Sequence, residues 1–177
     1  YARRVDTALR TVLTGSDLPL ILAASQPMAA LYRSVNTYPH LVAEREHGNP
    51  ETSTDAELAD APRTILHEVY ADQVAELAER FGDLSGQGRT ATDASDLARL
   101  STLGAVDTLL VDIDASVPGT IDDIGAVSLA DAEGAGNYGV TDEIARRVLL
   151  AGGRVLAVRA EDIPQGGPLA GLLRFVV

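Results

Sequence analysis

The chain has 177 residues, and its 14 cationic side chains, all arginine, face 26 Asp+Glu for a net charge of -12. Lysine, cysteine and tryptophan are absent, which removes disulfides, thiolate metal sites, cysteine nucleophiles, Schiff-base chemistry and the P-loop lysine. With 46% hydrophobic and only 4% aromatic residues, the chain can bury a core built mostly from Ala, Leu and Val. No apolar run approaches the roughly 18 residues of a membrane span, and no targeting segment is visible. A cytoplasmic protein is therefore expected. An acidic chain is also a poor partner for phosphate backbones, whose affinity comes largely from cationic side chains. The first residue is Tyr1 rather than Met, so the sequence reads as a piece of something longer.

Val5, Ala8, Leu9, Val12 and Leu13 recur at helical spacing between Ala2 and Thr14, and Gly15 follows as a stop. Leu18 to Ala24 is a short continuous apolar run, the pattern of a buried strand. Ser25 is placed to cap a helix with Pro27 in its first turn, running to about Asn36. Leu41 to His47 alternates weakly as a second strand before Gly48-Asn49-Pro50 breaks the chain. Thr54-Asp55-Ala56-Glu57 fits a capping box. Pro62 is expected to interrupt the helix begun there and to mark the domain boundary. A long amphipathic helix then runs from about Arg63 to Phe81, with Leu66, Tyr70, Val74, Leu77 and Phe81 on one stripe.

Beyond the loop from Gly82 to Gly88 the pattern alternates strands and helices, which predicts a three-layer α/β/α domain. Strands are expected near Arg89 to Ala91, from Val106 to Ile113, from Ile124 to Leu129, from Val155 to Val158 and from Leu172 to Val176. One helix is capped by Thr92 or Asp93 and ended by Gly104; another is capped by Thr141 and ended by Gly152-Gly153.

Three motifs carry possible chemistry. Asp112-Ile113-Asp114 at the end of an apolar strand resembles the Asp-x-Asp nucleophile of Mg-dependent phosphatases, with Asp122-Asp123 as further metal ligands. Such enzymes use a cation, usually lysine, for the phosphoryl group, and the plain alternative makes both aspartates turn formers. Gly134-Ala135-Gly136-Asn137-Tyr138-Gly139 is a G-x-G-x-x-G before a helix, and Arg159 would then sit where the 2′-phosphate of NADP is read. Against a Rossmann-type oxidoreductase, Asp131-Ala132-Glu133 intervene with negative charge, and only 18 residues follow Arg159. A glycine-rich loop is the competing reading. His40, His47 and His67 show no metal-ligand spacing, and no serine lies in a nucleophile elbow. Arg146-Arg147 reads as a solvated helix face that could meet an acidic partner or an RNA phosphate.

Gly166-Gly167-Pro168 followed by Leu169-Ala170-Gly171-Leu172-Leu173-Arg174-Phe175 resembles the glycine-rich "ILR-(F/Y)" ending of archaeo-eukaryotic class I release factors and Pelota-like rescue factors. Gly104-Ala105-Val106-Asp107-Thr108-Leu109-Leu110-Val111 is similar to their "GAV-(E/D)-x-LL-(I/V)" segment, and Tyr1 to Val5 with Leu20 to Ala23 resembles the second half of their middle domain. A bacterial branch of that superfamily fits best. The resemblance implies residues 1–61 as the incomplete end of a middle domain and residues 62–177 as a C-terminal α/β/α domain like that of kink-turn-binding ribosomal proteins.

It further implies a translation protein acting at the ribosome in termination, rescue or quality control. Partners would be the ribosome and a translational GTPase, with little direct RNA binding by so acidic a chain. The family's Gly-Gly-Gln loop is not in this sequence; Gln165-Gly166-Gly167 has the reverse order. This chain is therefore expected to recruit rather than catalyse, with no catalytic residue, cofactor or metal of its own. By the same analogy, the docking surface includes the long helix after Pro62 and the loop from Asp114 to Gly119.

Overall fold

The computed structural model describes residues 1–42, 53–131, 134 and 139–176. The chain divides into two compact units, Tyr1–Gln73 and Val74–Val177. The division falls inside a helix.

In the first unit, helix α1 (Ala2–Leu13) packs against α2 (Met28–Val35). Asp6 is buried between them, and its carboxylate accepts from the backbone N–H of Thr37 at 2.9 Å and from the Thr37 hydroxyl. The apolar run from Leu18 does not form a full strand. Only Leu20 bridges, in parallel with Leu41, through Leu20 N–H to His40 O (2.8 Å) and Val42 N–H to Leu20 O (2.9 Å). Among the described residues no other segment pairs with it, so apolar character here yields extended chain without a ladder. Most of the expected strand from Leu41 to His47, and the Gly48-Asn49-Pro50 break, lie outside the described residues. Ser25 does not cap α2 with its side chain; it offers its backbone carbonyl to Ala29 N–H.

The capping box forms as expected: Thr54 N–H donates to Glu57 Oε2 (2.7 Å) and Glu57 N–H to Thr54 Oγ1 (3.3 Å). It starts α3 (Asp55–Ser85), which continues through Pro62 where a break was expected. Proline removes one N–H donor but its fixed φ is helical, and a helix already started upstream tolerates the loss. The expected stripe on α3 is only partly buried. Leu77 and Phe81 are buried and Leu66 and Val74 partly so, whereas Tyr70 is half exposed.

The second unit is built on a mixed sheet in the order β1-β6-β2-β5, from β1 (Thr90–Ala91), β2 (Val106–Asp112), β5 (Arg154–Val158) and β6 (Leu169–Leu173). β6 lies antiparallel to both β1 and β2, while β5 runs parallel to β2. The last strand begins three residues earlier than its apolar content suggested. Its register against β2 opens at Val111 with Leu169, and Phe175 and Val176 are exposed beyond its end.

Alternation sends neighbouring residues to opposite faces. Leu109, Leu169 and Leu173 join Leu97, Leu100, Ile144 and Val148 in one cluster, under α4 (Ala94–Thr102) and α5 (Val140–Leu150). Leu110, Ala170 and Leu172 join Leu77 and Phe81 of α3 in the other. Three layers result, as the alternating pattern predicted. Each fully buried leucine contributes roughly 2 kcal/mol of burial. Asp93 caps α4 by accepting from Ser95 and Asp96 N–H at 2.9 and 3.0 Å, and Gly104 at φ +68° closes it. Thr141 is not a cap: it lies buried in the first turn of α5, whose N-cap is Gly139.

The segment from Ile124 to Leu129 does not enter the main sheet. Only Val127–Leu129 (β4) is strand, paired antiparallel with β3 (Gly119–Ile121) as a separate two-stranded ribbon.

Candidate docking surface

Asp112 and Asp114 form a turn at the end of β2. Asp112 Oδ1 accepts from Asp114 N–H at 3.0 Å, and Asp112 O from Ala115 N–H at 3.2 Å. Asp122, the supposed further metal ligand, likewise accepts from Ile124 and Ala126 N–H at 3.0 and 2.8 Å. These carboxylates shape backbone, as short acidic side chains do in turns. Among the described residues no group of three His, Asp or Glu could hold a metal ion.

Topology removes the dinucleotide reading. A Rossmann unit needs the strands before and after its helix to be parallel members of one sheet. Here β4 pairs only with β3, whereas β5 pairs with β2. Arg159 is exposed just after β5, and most of the loop between Gly134 and Gly139 lies outside the described residues. His40 lies 3.5 Å from Asp17 and edge-on to Tyr38, His67 is exposed on α3, and His47 lies outside the described residues.

Of the arginine pair on α5, Arg146 is 60% exposed, as a solvated face implies, whereas Arg147 corrects that expectation. Arg147 has a side chain only 14% exposed. It donates Nε to Glu143 Oε1 (2.7 Å), Nη1 to Thr102 Oγ1 (2.6 Å), and Nη2 to the carbonyls of Ile121 (3.2 Å) and Asp122 (2.9 Å). Arg146 closes a bidentate pair on the same carboxylate at 2.7 and 2.8 Å. The Arg146 hydrogen bond, helped by Arg147 and opposed by burial, holds Glu143 down at about 2. One carboxylate thus organises two guanidinium groups, of which Arg147 binds α5 to α4 and to the β3–β4 ribbon. The i, i+3, i+4 spacing of Glu143, Arg146 and Arg147 was legible; the carbonyls waiting on other elements were not.

A shallow groove of about 520 Å³ opens where the C-terminal ends of α4 and α5 converge, lined by Thr102, Leu103, Asp123, Arg146, Arg147 and Leu150 among others. Arg174 secures both helix ends, donating to Gly104 O and Ala151 O at 3.2 Å. Leu103 and Leu150 stand 57% and 74% exposed on the groove. The expected loop is firmly held: Val117 O accepts from Val140 N–H (2.8 Å) and Pro118 O from Ala130 N–H (3.0 Å). It follows directly on the exposed side chain of Ile113. The arrangement has rigid, partly apolar projections and no assembled acid, base or nucleophile among the described residues.

Residues 1–72 match the model of bacterial archaeo-eukaryotic release factor family 11. The fold is that of an archaeal Pelota chain in a structure described as a model of ribosome-bound archaeal Pelota and ABCE1, with TM-score 0.61 and 20% identity over 99% of this chain. The match covers 49% of that Pelota, so the chain spans about half its length. The C-terminal domain of the peptide chain release factor from Methanosarcina mazei matches with TM-score 0.55 and 17% identity, over 71% of this chain and 98% of that domain. No curated protein matches the chain significantly. The α/β fold class that the resemblance implied therefore holds.

Proposed function

We infer that this chain, release-factor-like in its first 72 residues and Pelota-like in fold, belongs to a translation protein that acts at the ribosome. The observation that carries the reading is the coincidence of two independent signals. The family match covers the first unit, and the fold likeness runs on through the second.

We read residues 1–61 as the end of a middle domain and residues 62–177 as the C-terminal domain. The near-complete coverage of the Methanosarcina mazei domain supports that reading. The role would be termination, rescue or quality control. Within it, this chain serves as a docking and recruiting module; in support, no Gly-Gly-Gln lies in its sequence. A translational GTPase is the partner class proposed for the second unit, approached through α3 and the loop after Ile113. The second unit's own balance, eight arginines against 16 Asp+Glu, favours protein over nucleic acid as what it grips.

The test is pelleting of the purified protein with purified ribosomes through a sucrose cushion. Stoichiometric recovery with the ribosomes is expected, and protein left entirely in the supernatant at low salt contradicts the reading. An Ile113→Asp variant should still pellet but lose capture of the GTPase.

A further inference from the structure

Charge is unevenly spread along this chain. The first 42 residues carry four arginines against two aspartates, whereas the rest carries ten arginines against 24 carboxylates. The helix α1 concentrates that excess on one side. At 3.6 residues per turn, Arg3, Arg4, Thr7, Arg10, Thr11 and Thr14 fall within an arc of roughly 120°. All six are exposed. The one carboxylate of the helix, Asp6, is turned inward and held by Thr37. Arg3 and Arg4 have no ion-pair partner among the described residues, and Arg10 spends its Nε on Thr37 Oγ1 (2.8 Å) beside Asp6 while its side chain stays 61% exposed.

We propose that this face of α1 is a contact surface for the phosphate backbone of RNA. The guanidinium groups supply positive charge with several donors each, the combination that phosphate oxygens take up best. Arg3 and Arg10 stand about 10 Å apart along the axis, so that they reach different phosphates. The threonines between them are short and neutral; Thr7 and Thr14 turn their hydroxyl protons back onto the carbonyls of Arg3 and Arg10. No carboxylate on this face repels a polyanion. A membrane surface fits less well, because Val5, Leu9 and Leu13 on the opposite face are half-buried in the protein and not free to enter a bilayer. The choice of RNA over other polyanions rests on the ribosomal role proposed above. It assigns RNA contact to a stretch that, unlike the chain as a whole, carries more arginine than carboxylate.

The experiment is fluorescence anisotropy of the full chain with a labelled RNA hairpin of about 25 nucleotides, long enough to span the arginines of α1, titrated at low and at moderate salt. The wild-type chain should bind at low salt and weaken by roughly 20- to 40-fold when salt is raised fourfold, as for some three phosphates. Arg3→Gln/Arg4→Gln should weaken binding at least tenfold and flatten the salt dependence, with an unchanged melting curve. Arg154→Gln/Arg159→Gln, on the second unit, should bind like wild type.

Equal binding by the Arg3/Arg4 variant overturns the proposal. So does equal affinity for polyglutamate or for phosphatidylglycerol vesicles. Ribosome pelleting of the same variants separates the two levels: RNA binding lost with pelleting retained at low salt leaves the ribosomal role standing on protein contacts. Pelleting without any hairpin binding by the wild type removes this inference alone, and neither signal removes both.

Discussion

Leu97 of α4 lies over the bare Cα of Gly171 in β6, in the space that a Cβ on Gly171 would occupy. This close approach explains why the strand reads Leu169-Ala170-Gly171: the layer above it is a helix drawn in to contact distance. Gly171→Ala should therefore destabilise the protein by roughly 1–3 kcal/mol through overpacking. Chemical denaturation checks it. Combined with Leu97→Ala, the loss should fall well short of the sum of the two single losses, because the shortened Leu97 vacates the space. Strict additivity would contradict the contact.

Glu143 predicts a pH dependence. Its folded value near 2 lies below its ordinary 4.5, so its stabilisation is present in full above about 4.5 and is lost as pH falls through about 2. The shift corresponds to about 2–3 kcal/mol for a side chain only 8% exposed. Glu143→Gln should remove that amount at neutral pH and make the remaining stability flatter between about pH 5 and pH 2. Thermal melts across that range read the difference. Parallel acid profiles for variant and wild type would show that the Arg146–Glu143–Arg147 group contributes no such stabilisation.

Arg174 should resist replacement by lysine. Its planar group reaches Gly104 O and Ala151 O together, whereas one ammonium on a flexible stem does not span both helix ends with fixed geometry. Arg174→Lys is expected to cost about 1 kcal/mol. Amide exchange should quicken in the last turns of α4 and α5 with little change in α3. Uniform quickening across the second unit would contradict the local role.

The acidic turns give a sharp negative expectation. Millimolar Mg²⁺ should leave the melting temperature unchanged, and Asp112→Asn should cost no more than about 1 kcal/mol, the worth of one turn hydrogen bond. A magnesium-dependent rise in melting temperature that Asp112→Asn abolishes would restore a metal site at Asp112.

Patterning made the second unit legible and the first only half so. Val106 to Asp112 was readable because adjacent leucines serve two faces of one buried sheet, and α4 because Asp93 and Gly104 mark its ends by chemistry. The run from Leu18 looked equally strand-like, but a strand is completed by its neighbours, and only Leu41 supplies one among the described residues. Pro62 misled because proline's effect depends on what the surrounding helix has already gained. The G-x-G-x-x-G before Gly139 failed as a cofactor signal for a topological reason: β4 and β5 belong to different sheets. The Arg147 hub was hidden because its acceptors at Thr102, Ile121 and Asp122 come from elements far away in the chain.

The most direct measurement of the central claim is where the native protein runs on a sucrose gradient of cell lysate, in growth and under translational stress. Association with ribosomes or ribosomal subunits, increasing when translation is stalled, is the predicted result. Persistence at the top of the gradient in both conditions, with intact ribosomes further down, would contradict a role at the ribosome.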